Sequence, residues 1–196
     1  MTSEDDQKAH LLRALTAGRE ALLWKLDGLS ERDARWPVVP TGTNLLGLVK
    51  HLASVEAGYL GDVFGRPSPE RLPWFADDAE PNADMWATEQ ESGASVLGLY
   101  ERVRAHSEAT VAALPLDAPG VVPWWAPGKR DVTLHQVLVH LVAETHRHVG
   151  HADLVRELLD GSAGVRAGGS NLPDEDEAWW RDYRARLEAA AEAAER

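Results

Sequence analysis

The chain has 196 residues, 44% hydrophobic and 27% charged, enough for one globular domain with its own core. It has no cysteine, which excludes disulfides, a thiolate metal site and a cysteine nucleophile; any thiol in its chemistry must come from outside. A formal charge of −12 opposes nucleic acid and anionic membranes, both of which recruit clustered Lys and Arg, and leaves small molecules or proteins as partners.

In chain order, the opening from Met1 to Asp6 is polar and acidic, with no basic stretch leading into an apolar run. No later stretch is apolar for the length of a membrane span, so a cytoplasmic protein is expected. Leu11, Leu15, Leu22, Leu26 and Leu29 recur at helical spacing and predict a first helix opened by Ser3 and the acidic turn Glu4-Asp5-Asp6. A second helix starts near Thr43 as N-cap and carries Leu45, Leu48, Leu52, Val55, Tyr59 and Val63, with Gly65 and Pro67 ending it. A third carries Val96, Tyr100, Val103, Thr110 and Leu114 and closes before Pro115. A fourth opens on the capping-box pattern Thr133-x-x-Gln136 and runs to Leu159, before Gly161.

A fifth, charged and alanine-rich, covers Pro173 to Arg196; its aromatics Trp179, Trp180 and Tyr183 are its one patch to bury. The stretch from Gly161 to Ser170 reads as a flexible tether that gives this helix reach to its own bundle or to the partner chain of a homodimer. No alternating β-branched run competes. The expectation is an all-α protein: an up-down four-helix bundle over residues 1–160, then a tether and C-terminal helix over 161–196. Two connections, 66–90 and 115–131, are long, rich in proline and tryptophan, and of a length that often carries function.

The fourth helix holds the informative pattern, for five of the eight histidines lie between 135 and 151. On a wheel with Glu144 at zero, His148 falls at roughly +40°, His151 at −20° and His140 at −40°, while His146 falls at about 200°, beside Asp153. The first face is otherwise apolar, through Val137, Leu141, Val155, Leu158 and Leu159. A carboxylate on a core face is costly unless paired or coordinated, and each added imidazole needs a partner of its own. A metal ion satisfies several at once; a hydrogen-bonded polar network is the alternative.

Glu144 and His148, four apart, can share an ion. His140 and His148 stand about 12 Å apart along the axis, too far to be good co-ligands. His151 fits a supporting group, an acid or base, or an alternative ligand. The third ligand must come from another helix, and His51, at the edge of the second helix's apolar arc, is the best candidate. Gly47, Ser54 and Gly58 share its side and either leave room for a ligand or permit close helix packing. Three mixed ligands leave a coordination position open for water or substrate, as catalytic sites do.

The same residues carry a family resemblance. Asn44 to Tyr59, NLLGLVKHLASVEAGY, and Thr133 to Glu157, TLHQVLVHLVAETHRHVGHADLVRE, resemble the second and fourth helices of the DinB-like proteins. The closer branch includes the mycothiol-dependent maleylpyruvate isomerase and the mycothiol or bacillithiol transferases. The resemblance implies a four-helix bundle holding zinc or nickel through His51, Glu144 and His148, with Glu at 144 where many members have His. It implies a reaction in which the metal activates a mycothiol-type thiol for attack on an electrophile, His151 and Arg156 orienting or protonating the substrate and Trp124 and Trp125 walling the cofactor pocket. Arg156 reads equally as an ion-pairing residue. A metal-water hydrolase is a variant of that reading, and a non-catalytic metal- or small-molecule-binding bundle is its rival.

Overall fold

Ser3 opens α1 (Glu4–Trp24) through a reciprocal cap, its hydroxyl accepting from Asp6 N at 3.1 Å while Asp6 accepts from Ser3 N at 3.2 Å. The computed structural model describes residues 3–76 and 78–194; Glu195 and Arg196, the end of the expected last helix, lie outside them, as do Met1, Thr2 and Asp77. A short α2 (Glu31–Arg35), which the hydrophobic spacing does not reveal, leads to α3 (Leu45–Leu60). Asn44, one residue beyond the expected Thr43, caps α3 by accepting from Gly47 N at 2.8 Å. A 3₁₀ turn, Asp62–Phe64, follows, so Val63 belongs to that turn rather than to the helix. Then come α4 (Gly93–Ala113), α5 (Leu134–Asp160) and α6 (Glu177–Ala193). Thr133 and Gln136 form the expected capping box on α5, and Gly161 ends it in the left-handed region at φ 77°.

Side-chain pairings fix the helix directions. Gly18 faces Thr145 and Lys25 pairs with Asp153, so α1 and α5 run parallel. Lys50 pairs with Glu91 and Tyr100 with Glu56, so α3 and α4 also run parallel. His51 meets Glu144 and Tyr59 meets His140, so α3 is antiparallel to α5. The all-α bundle is therefore as expected, but its helices run up-down-down-up rather than alternating. That order needs one long crossover, which is the proline-rich segment between α3 and α4.

Hydrophobic core lies at both ends of the bundle, around Leu46, Leu52, Tyr100 and Val103 at one and Leu60, Val111, Leu134 and Leu138 at the other. Between them Arg19 of α1, fully buried, donates to both oxygens of buried Glu56 at 2.9 and 2.5 Å, and Tyr100 adds a third bond at 3.1 Å. Burial would lower the Arg19 pKa, but the Glu56 carboxylate outweighs it and holds the guanidinium charged.

The connection to α5 contains a small hairpin, β1 (Pro119–Val121) against β2 (Asp131–Thr133), antiparallel, with Gly120 opposite Val132. Short β-ladders of this kind leave no alternating signature in sequence. Gly120 is needed there: a Cβ would stand 2.7 Å from the Phe64 ring and 2.8 Å from Val63. In the expected tether, the Gly164 carbonyl accepts from Lys25 Nζ, and Gly169 N donates to Arg166 O at 3.0 Å. None of α6 is buried; Trp179 stacks on Tyr183 at 5.2 Å, and Trp180 faces a cleft shared with Glu157 and Gly161 at the end of α5.

Candidate functional site

His51 on α3 and Glu144 and His148 on α5 each turn one ligand-type atom into a common point, all within 4.8 Å of one another. His148 Nε2 lies 3.0 Å from Glu144 Oε1, and His51 Nε2 lies 3.7 Å from the same oxygen. The two imidazole rings meet edge to face at 4.7 Å. Glu144 keeps 27% of its side chain exposed against 9% for His148, so the cluster is open on the carboxylate side. Burial presses the Glu144 pKa upward, but the hydrogen bond and charge of His148 and the charge of His51 outweigh it and hold the carboxyl below its usual range. Burial, with the neighbouring His51, pushes His148 below the ordinary histidine value. Both shifts favour one state near neutral pH: an ionised Glu144 beside a neutral His148.

The structure adds a residue that periodicity does not single out. Asp84, in the α3–α4 crossover, accepts from His51 Nδ1 at 2.7 Å. That hydrogen bond is the main reason the Asp84 carboxyl sits below its usual pKa. It also fixes the His51 tautomer: the proton stays on Nδ1, and the Nε2 lone pair faces the cluster. The loop around Asp84 is clamped to α3 at several points. Asn44 Nδ2 donates to Met85 O at 3.2 Å, and Lys50 Nζ donates to Trp86 O at 2.9 Å and to Glu91. Arg35 donates to the carbonyls of Ala87, Thr88 and Glu91. The only sequence signal for Asp84 was the length of its loop, because its partner is 33 residues away.

The small residues beside His51 serve packing, not an empty pocket. The Met85 backbone occupies the space at Gly47, Trp124 covers Gly58, and Ser54 Oγ accepts from Trp74 Nε1 at 2.7 Å. His151 Nδ1 lies 3.4 Å from His148 Nδ1, on the side of that ring away from Glu144. His146 points the other way, as the wheel predicts, and meets the Val142 carbonyl at 2.9 Å.

Arg156 is not brought to the cluster. Its Nη1 donates to the carbonyls of Lys25 and Asp27 at 2.8 and 2.9 Å, and its Nε and Nη2 hold Asp160. It closes the C-terminal end of α1 against α5, at roughly 120° from Glu144 on the wheel and about 18 Å from it along the axis. Trp124 and Trp125 lie one to two turns from the cluster, both donating to Tyr59 Oη, at 3.2 and 2.7 Å. His140 packs between Tyr59 and Trp125, at ring distances of 4.7 and 5.3 Å.

Residues 10–161 match the sequence model of a protein family described as Mycothiol-S-transferase. The chain belongs to the mycothiol S-transferase family. That family falls within the DinB-like superfamily, the group the helix motifs around His51 and Glu144 resemble. No curated protein matches the chain closely enough to count as a relative. Membership gives a mycothiol-linked, transferase-type function with a small-molecule substrate. Among the described residues no helix is long and apolar enough to cross a membrane.

Proposed function

We propose that this mycothiol S-transferase family member is a metal-dependent enzyme in which His51, Glu144 and His148 hold one divalent cation, zinc or nickel. The observation that carries the reading is the convergence of two imidazoles and an ionised carboxylate within 4.8 Å, from two helices, with one side open. That donor set fits a cation: borderline nitrogen ligands with one hard oxygen suit zinc or nickel, and two ligands of this kind plus a carboxylate recur in catalytic sites. A cation there would lower the pKa of a bound thiol and supply a thiolate at neutral pH. The cysteine-free chain is consistent with a borrowed thiol.

The chain's own residues do the rest. Asp84 holds the His51 proton on Nδ1 and so keeps Nε2 free as a ligand before any cation arrives. His148 needs the opposite tautomer from the one that donates to Glu144; moving its proton to Nδ1 directs it at His151 Nδ1, which then acts as acceptor. His151 is thus the acid–base partner of His148 rather than a fourth ligand. The clamp on residues 84–91 holds Asp84 in place beside His51. The open side beside Glu144 favours catalysis over a closed storage or sensing site.

Protein purified without a histidine tag should carry about one divalent ion per chain, lost in His51→Ala and His148→Ala and kept in His146→Ala. The loaded protein should accelerate conjugation of mycothiol to an epoxide, quinone or activated alkene, with glutathione a poorer substitute. Full metal retention in both ligand variants would end the metal assignment. A flat rate across the electrophile panel would leave a binding protein.

A further inference from the structure

Beside the cluster lies an aromatic shelf of unusual make-up. Trp124 is 52% exposed, yet its ring is held in place: it meets Tyr59 edge to face at 5.2 Å, and its far edge lies over Gly58, 3.2 Å from where a Cβ would stand. Both indole N–H groups of Trp124 and Trp125 are spent on the single Tyr59 oxygen, so the exposed ring surface has no donor left to offer. An exposed, ordered tryptophan whose polar atom is already paired can recognise a ligand only through its apolar π surface. The next polar group is His140, packed on Tyr59 and Trp125; no hydrogen bond among the described residues uses either of its ring nitrogens.

The placement relates this shelf to the cluster. His140 is one turn before Glu144 on the same face of α5, about 6 Å along the axis, and Gly58 is two turns beyond His51 on the same side of α3, about 10 Å. A molecule lying along the α3–α5 seam with one end at the Glu144 side would rest its other end on Trp124, passing His140.

We propose that Trp124, Trp125, Tyr59 and His140 form the subsite for the electrophile, and that the electrophile is a planar unsaturated compound, of one or two fused rings, carrying one hydrogen-bonding atom. The ring system lies on the Trp124 face, and His140 pairs with the polar atom. Offset contact between π systems distinguishes a flat unsaturated skeleton from a saturated one of equal size. The assignment to the electrophile rests on taking the His51–Glu144–His148 cluster as the reacting centre.

The test is a titration of the ¹⁵N-labelled full chain with 2-naphthol and with its saturated counterpart decahydro-2-naphthol, with and without added zinc. The indole N–H resonances of Trp124 and Trp125 are identified through Trp124→Phe and Trp125→Phe. Neither ligand is an electrophile, so the readout is binding alone. Expected are shifts of those two resonances by 2-naphthol, at an affinity about three- to tenfold above that of the saturated alcohol. His140→Ala should weaken 2-naphthol by a similar factor while leaving zinc content unchanged.

Shifts confined to Trp74 and Trp86, which line a separate cavity beside Lys50, would overturn the subsite. So would equal binding of the two alcohols, or no movement at Trp124 and Trp125. Binding of 2-naphthol at these tryptophans in a protein that takes up neither zinc nor nickel would support the planar-ligand subsite and overturn the metal reading above it.

Discussion

Gly47→Ala isolates the claim that the crossover loop sets the geometry of His51. A Cβ at position 47 would stand 1.8 Å from the Met85 carbonyl oxygen and 2.6 Å from its carbon, both backbone atoms, so the loop itself must retreat. Restoring an ordinary carbon–oxygen contact of about 3.3 Å requires a displacement of roughly 1.5 Å. That breaks the Asn44 Nδ2 to Met85 O bond, now 3.2 Å, and carries neighbouring Asp84 away from His51 Nδ1, now 2.7 Å. Alanine gains about 1 kcal/mol of helix propensity over glycine. Against this stand about 1–3 kcal/mol of overpacking and about 1 kcal/mol for the lost hydrogen bond. The net loss of about 1–3 kcal/mol should lower Tm by several degrees, at roughly 2–4 °C per kcal/mol for a chain of this size. Loss of the Asp84 contact should weaken metal binding roughly 10- to 100-fold. Thermal melts of the metal-free protein and zinc titration against a chelator measure both, with Asp84→Asn as the control that loses affinity but keeps its melt. A Gly47→Ala protein with wild-type melting and wild-type zinc affinity would refute the reasoning.

Glu56→Gln leaves buried Arg19 with half-exposed Glu108, 3.0 Å from its Nη1, as its remaining charge partner and should cost about 2–3 kcal/mol in urea unfolding; a loss under about 1 kcal/mol would mean the buried pair adds nothing. Arg156→Ala strips the carbonyls of Lys25 and Asp27 and the Asp160 carboxylate of their donor, so it should lower stability by about 2–3 kcal/mol while metal content and conjugation rate stay at wild type. Burial acts to raise the Glu91 pKa, but the Thr88 N–H and the Lys50 ammonium outweigh it and hold the folded value low. Its stabilisation is therefore present above the unfolded value, about 4.3, and lost as pH falls through the lower folded value, so wild type should lose more stability than Glu91→Gln in that window of acid melts. Deleting residues 172–196 removes a helix with no buried residue and should leave a folded, metal-binding bundle with altered stability or self-association; a truncation that fails to fold would place α6 in the core.

The long helices were legible because each repeats apolar residues on one face and starts at a chemically marked cap, Ser3 for α1 and the Thr133–Gln136 box for α5. Helix spacing also put Glu144 and His148 on one face, where they lie 3.0 Å apart. Directions were not legible, because periodicity is the same whichever way a helix runs, and the expected up-down order missed the parallel α3–α4 pair. The Arg19–Glu56 pair was invisible for a related reason: charged residues break an apolar stripe and read as surface, although both here are fully buried. Asp84 and the carbonyls that hold Arg156 act across 33 and about 130 residues, beyond the reach of any local pattern.

The hairpin that carries Trp124 and Trp125 has a modular character. Its base is held by the Pro119–Thr133 and Val121–Asp131 pairings, and Val122 N reaches Arg130 O at 2.9 Å just above it. Residues 123–129 thus form a cap whose ends are fixed independently of what the cap contains, and β2 runs directly into the first turn of α5. Such a cap can be exchanged between homologous chains while the helices and the His51–Glu144–His148 cluster stay untouched, provided a donor for Tyr59 is retained. If Trp124 and Trp125 form the proposed subsite, a library confined to these seven positions is the economical place to alter substrate range.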